Sequence, residues 1–128
     1  MSVSITGRVL AFLAVLGPVP AMAQSYCYHA GDSTLRLDVA GSAVTFELSS
    51  WQSGHNCGAG GTAKAVKGAW IYRDGSCEIV LTRTAEGGIV VSDTENGCKP
   101  ELCGSRAVID GLSFPRSSQI DCSQMPEG

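Results

Sequence analysis

Two short motifs set sulfur beside imidazole: "CYH", with Cys27 and His29, and "HNC", with His55 and Cys57. Thiolate and imidazole are ligands for zinc and for soft copper, so each pair has the composition of half a metal site. The cysteine count points elsewhere. There are six, at Cys27, Cys57, Cys77, Cys98, Cys103 and Cys122. An even number in an exported chain reads as three disulfides, and oxidised sulfur does not ligate as thiolate. Two histidines alone leave a ligand set incomplete, so no metal and no cofactor is expected. Six cysteines allow fifteen pairings. The preferred one joins Cys27 to Cys122, tying the ends together. It joins Cys57 to Cys77, and closes "CKPELC" through Cys98–Cys103.

The export expectation comes from the first residues, "MSVSITGRVLAFLAVLGPVPAMAQ". Arg8 is the positive charge, Val9 to Val19 the apolar run, and Ala21-Met22-Ala23 the small-x-small cleavage site of a secretory signal peptide, residues 1–23. The apolar run falls short of the roughly 20 residues a spanning helix needs. A mature chain beginning at Gln24, periplasmic or secreted and without a membrane anchor, is expected.

Other catalytic chemistries find little support. Serines are plentiful, but no Gly-x-Ser-x-Gly elbow accompanies the two histidines. The acidic residues sit in turns or on the polar faces of strands, with no two marked as a hydrolytic pair. "GAGG" (Gly58 to Gly61) lacks the Lys-Ser/Thr of a P-loop and reads as a flexible loop. Cys98 and Cys103 are too widely spaced for a Cys-x-x-Cys redox motif. The chain is not expected to be an enzyme.

Charge narrows the partners. Nine basic and twelve acidic residues give a net charge of −3, and setting aside Arg8 leaves −4. No basic cluster is present, which argues against nucleic acid or anionic lipid. What remains are polar side chains on loops, where binding functions concentrate. "WQSGHN" offers Trp51, Ser53, His55 and Asn56. "CGSRA" places Ser105 and Arg106 beside a cysteine, and a guanidinium held there suits a carboxylate. The competing structural reading has Trp51 covering the end of the core and Arg106 paired with Asp110.

The elements that must position these loops alternate with period two. "TLRLDV" sets Leu35, Leu37 and Val39 against Arg36 and Asp38, and "AVTFEL" sets Val44, Phe46 and Leu48 against Thr45 and Glu47. A long polar, glycine-rich loop, residues 49–62, is expected next. "AVKGAWIY", "CEIVLTR" and "GIVVSD" read as further strands, with "RDGS" and "AEGG" as turns, and "RAVIDG" and "LSFPR" supply one or two more. No helical periodicity is visible. The pattern predicts an all-β fold: a small antiparallel sandwich or barrel of seven to eight strands, mostly in meander order. One domain is expected over residues 24–122, with a loose tail at 123–128.

The series "GHNC…WIYRDGSCEIVL…GIVVSD…GC…LCGSRAVIDGLSFPR" resembles small exported bacterial domains with a GHxC loop, a Cys-x-hydrophobic-x-Leu strand and a CGxRA-x-x-x-G ending. Such domains are grouped with the LprI-type lysozyme inhibitors. The resemblance runs from about Gly54 to Arg116. Periplasmic inhibitors of c-type lysozyme carry a Ser-Gly-x-x-Tyr loop on a small β-barrel. Here Ser53 and Gly54 are kept, and Cys57 stands in place of the Tyr. The resemblance implies a protein partner, a lysozyme, whose muramidase cleft is blocked by inserted loops. Ser53 and His55 would serve the general acid and Arg106 the ionised carboxylate. An envelope accessory or immunity-type protein with another protein partner is the alternative, and a small hydrolase or redox enzyme is the reading the residues support least. Oligomeric state is left open.

Overall fold

The computed structural model describes residues 24–126; the expected signal peptide, residues 1–23, lies outside them. Seven strands follow one another as antiparallel neighbours: β1 Gln24–Ala30, β2 Ser33–Ala40, β3 Ala43–Gln52, β4 His55–Val66, β5 Ala69–Asp74, β6 Cys77–Arg83 and β7 Ile89–Asp93. Two strands of two residues complete the sheet, β8 Ser113–Phe114 on β7 and β9 Gln119–Ile120 on β1. The single nine-stranded sheet curls until it is nearly closed into a barrel. At the seam the Tyr28 ring of β1 meets Phe114 of β8, with centroids 6.3 Å apart.

Five consecutive hairpins turn on two residues. Ser53-Gly54 and Lys67-Gly68 hold positive φ at both positions, as a type I′ turn requires. The others begin with a glycine at positive φ: Gly31, Gly41 and Gly75. Such turns match the twist of the strands and pin their register, so the alternation of side chains decides what is buried. Leu35, Leu37, Val44, Phe46, Leu48, Ile79, Leu81 and Val91 all face inward and form the core.

The Ser53-Gly54 turn corrects one expectation. Residues 49–62 are not a loop: β3 runs on to Gln52, and β4 starts at His55 and carries the "GAGG" run. The inward positions of β4 are small because large neighbours fill the space opposite. Gly61 lies under the Tyr72 ring, where a Cβ would collide with it. Tyr72 in turn meets Phe46 edge-on at 5.4 Å. Another difference concerns "RAVIDG", which is not a strand; it is an irregular segment anchored by buried Ala107 and Ile109. β1 is an addition, since its alternation is masked by Cys27, which faces outward yet is buried by its bridge.

Cys27–Cys122 forms as expected; the other two bridges are Cys57–Cys103 and Cys77–Cys98. The expected Cys57–Cys77 and Cys98–Cys103 pairs do not form. Cys57 lies in the part of β4 that β5 does not pair, and Cys77 opens β6, two places along the sheet order. Two strand spacings amount to about 10 Å, beyond the roughly 7 Å between Cα atoms that a bridge tolerates. Cys98 and Cys103 flank the short helix α1, Lys99–Leu102. Cys98 is helical and Cys103 extended, and their sulfurs bond to cysteines on different strands, Cys77 of β6 and Cys57 of β4.

All four of these cysteines serve one purpose: they fasten the segment 94–112 across one mouth of the barrel. A buried carboxylate helps. Asp93, 2% exposed, accepts the Cys98 N–H at 2.9 and 3.2 Å, while its own N–H donates to Asp110 Oδ1 at 2.9 Å. The described part of the expected tail forms a 3-10 turn at Cys122–Gln124, and Met125 and Pro126 lie over the outer face of β2 and β3 beside Thr34 and Arg36.

Candidate functional site

The hairpin tip of β3 and β4 and the loop 103–108 lie at the capped mouth. They are joined in three ways. Cys57 and Cys103 form a disulfide and a lone antiparallel bridge. The Gly104 N–H donates to Asn56 O at 2.8 Å. The Gln52 amide makes a two-way pair with the Val108 backbone, Nε2 to O at 2.8 Å and N to Oε1 at 3.0 Å. Gln52 occupies the inward parity of β3 just past the last core residue. Its amide also donates to buried Ser50 Oγ at 2.9 Å, and Ser50 shares a hydrogen bond with Ser33 at 2.7 Å. A polar chain therefore runs from β2 through β3 into the capping loop, with no buried side-chain polar atom left unpaired among the described residues.

The loop's remaining carbonyls are held from behind. Lys99 Nζ donates to Ala107 O at 2.6 Å and to Ser105 O at 3.2 Å. With the carbonyls of 105 and 107 tied inward, the Ser105 and Arg106 residues stand exposed. The guanidinium of Arg106 forms no ion pair among the described residues. Asp110, the expected partner, instead receives the Asp93 amide.

The six expected binding residues divide by strand parity. Ser53 sits at the turn and is exposed. Trp51 and Asn56 are direct cross-strand partners on the outer face, and Trp51 is 54% exposed, so it does not cover the core. His55 faces the other way and is half-buried: a Cβ on Gly104 would lie 3.2 Å from His55 Nδ1, so the ring sits close against that glycine. Ser53, Ser105 and Arg106 thus stand on segments joined to one another, Trp51 and Asn56 flank them, and His55 supports the junction from inside. Exposed Val108 adds an apolar element at the same junction.

Gln52, Lys99 and Gly104 were not foreseen as part of this surface. The sequence holds one signal for Gln52: it continues the inward series Val44, Phe46, Leu48, Ser50, where an amide must find buried partners. Every cysteine is oxidised, so neither Cys27 nor Cys57 offers a thiolate beside its histidine.

The chain matches no protein-family model, no curated protein and no solved structure.

Proposed function

We propose that this is an exported binding protein whose contact surface is the Ser53-Gly54 turn together with the stapled loop at Ser105 and Arg106, and that its partner is a c-type lysozyme. The observation that carries the reading is the covalent and hydrogen-bonded union of two exposed loops, with Arg106 in no ion pair among the described residues. Preset loops lose less conformational entropy on docking than free ones. A hydroxyl and a guanidinium held on one rigid edge match the needs of a cleft lined by two carboxyl groups. Glycoside hydrolases of the lysozyme type present such a cleft, with one carboxyl acting as acid and the other ionised. Ser53 serves the first and Arg106 the second; His55 acts through the position of the turn.

The test is titration of a c-type lysozyme with the purified, disulfide-intact protein. Inhibition saturating near one equivalent is expected, with Ser53→Ala plus Arg106→Ala weakening it at least tenfold. Absence of inhibition at tens of micromolar overturns the lysozyme assignment. Full inhibition by the double variant overturns the roles of the two residues.

A further inference from the structure

The other mouth of the barrel, where β6 ends and β7 begins, is built differently. No segment caps it. A cleft of about 230 Å³ opens there, at the seam where β1 and β9 approach β7 and β8. Its walls are aromatic and its charged lining is cationic: Tyr26, Tyr28 and Trp70 face Arg83 and Arg116, with Ile89 on the apolar side and no acidic residue among the lining.

Three features mark this as a formed site. First, Arg83 continues the inward series of β6, Cys77, Ile79 and Leu81, so a guanidinium occupies a position that the strand otherwise gives to core side chains. It lies over the Trp70 ring, 4.4 Å from the centroid, which fixes its direction at little entropic cost. Second, Arg116 is brought alongside by two glycines. A Cβ on Gly88 would stand 2.7 Å from Phe114 O, and one on Gly87 would stand 3.3 Å from Arg116 Cδ. Only bare backbone lets residues 114–116 lie this close to the β6–β7 turn. Third, the polar groups are unspent. Neither guanidinium has an ion-pair partner among the described residues. The Tyr28 hydroxyl belongs to a buried residue that makes no side-chain hydrogen bond to another described residue. Tyr28 is among the residues that line the cleft. Burial pushes the Tyr28 phenol above its usual value, so it stays a neutral donor at physiological pH.

We infer that this cleft binds a small carboxylate carrying a flat apolar body. The aromatic walls take the body by stacking and edge contact. Arg83, Arg116 and the Tyr28 hydroxyl take the carboxylate, and a guanidinium prefers this oxyanion geometry because its N–H groups can donate in parallel. The volume admits one ring system. The site is separate from the hairpin tip, since no residue of β3 or β4 is among its lining.

The probe is 2-naphthoate, with uncharged 2-naphthamide as its isostere, titrated into the disulfide-intact protein by calorimetry and by amide NMR. Saturable naphthoate binding is expected, with shifts concentrated at Arg83, Gly87, Gly88, Ile89 and Gln119 and none at Ser53 to Asn56. The amide should bind at least tenfold more weakly, and Arg83→Gln and Arg116→Gln should each lower naphthoate affinity about tenfold while their spectra keep the folded dispersion. No saturable shift up to millimolar naphthoate overturns the inference. So does equal affinity for the amide, or unchanged affinity in both variants.

Discussion

Replacing Cys57 and Cys103 together by alanine removes the bridge that joins the hairpin tip to the capping loop. The two residues are 46 apart in sequence, but the Cys77–Cys98 bridge, spanning 21, short-circuits the path between them. The loop that Cys57–Cys103 closes in the unfolded chain is then about 26 residues, and the chain-entropy relation gives a loss of about 3.5 kcal/mol. The native sheet should survive, because most of its core side chains, from Leu35 to Val91, lie on the strands themselves. Denaturant titration of the non-reduced variant reads the stability, and amide exchange reads the detachment. The Gly104 amide, bonded to Asn56 O, should exchange much faster, while the Val91 amide, bonded to Leu112 O, should change only by the global loss. Thiol titration of the unfolded, non-reduced variant should find no free sulfur, because the remaining four cysteines pair as Cys27–Cys122 and Cys77–Cys98. A stability loss below about 1 kcal/mol, or two reactive thiols from an orphaned Cys77 and Cys98, would refute the reasoning.

Three further outcomes follow from the packing. Gly61→Ala should cost about 1–3 kcal/mol by forcing Tyr72 off Phe46, and near-ultraviolet circular dichroism should show the lost aromatic contact. Asp93→Ala should cost about 1–3 kcal/mol in denaturant titration, since the Cys98 N–H loses its buried acceptor. Asp38 has its carboxyl held below the usual value of 3.8, by the Ser25 hydroxyl first and by Arg36 second. A depressed carboxyl adds stability above its unfolded value and loses it as pH falls through the folded one. The stability gap between the parent and Asp38→Asn should thus be fully present at neutral pH, begin to shrink as pH falls below 3.8, and vanish only below the depressed folded value. The side chain is 34% exposed and solvent screens it, so the gap should not exceed about 1 kcal/mol.

Much of the sheet was legible because its hairpins follow local rules. Leu35, Leu37 and Val39, then Val44, Phe46 and Leu48, announce two strands by alternation, and the glycine turns between strands announce their pairing. β4 was hidden because its inward residues are Ala59, Gly61 and Ala63, whose smallness makes sense only once Phe46 and Tyr72 are seen to fill the space. The short strands β8 and β9 have only two residues each and are strands by virtue of their neighbours. At the candidate surface, residue types on exposed loops singled out Ser53, Ser105 and Arg106. Their convergence depends on Cys57 meeting Cys103, 46 residues away, a contact that no local pattern encodes. Arg83 was overlooked for a related reason: an arginine at the end of an alternating strand looks solvated until the seam places Trp70 and Arg116 around it.

Hydrogen exchange of the protein alone and in the presence of an excess of c-type lysozyme tests the central claim most directly. Slowed exchange confined to residues 51–57 and 103–108, with the β6–β7 turn unaffected, is the predicted result. Protection at any other face, or none at micromolar lysozyme, would contradict it.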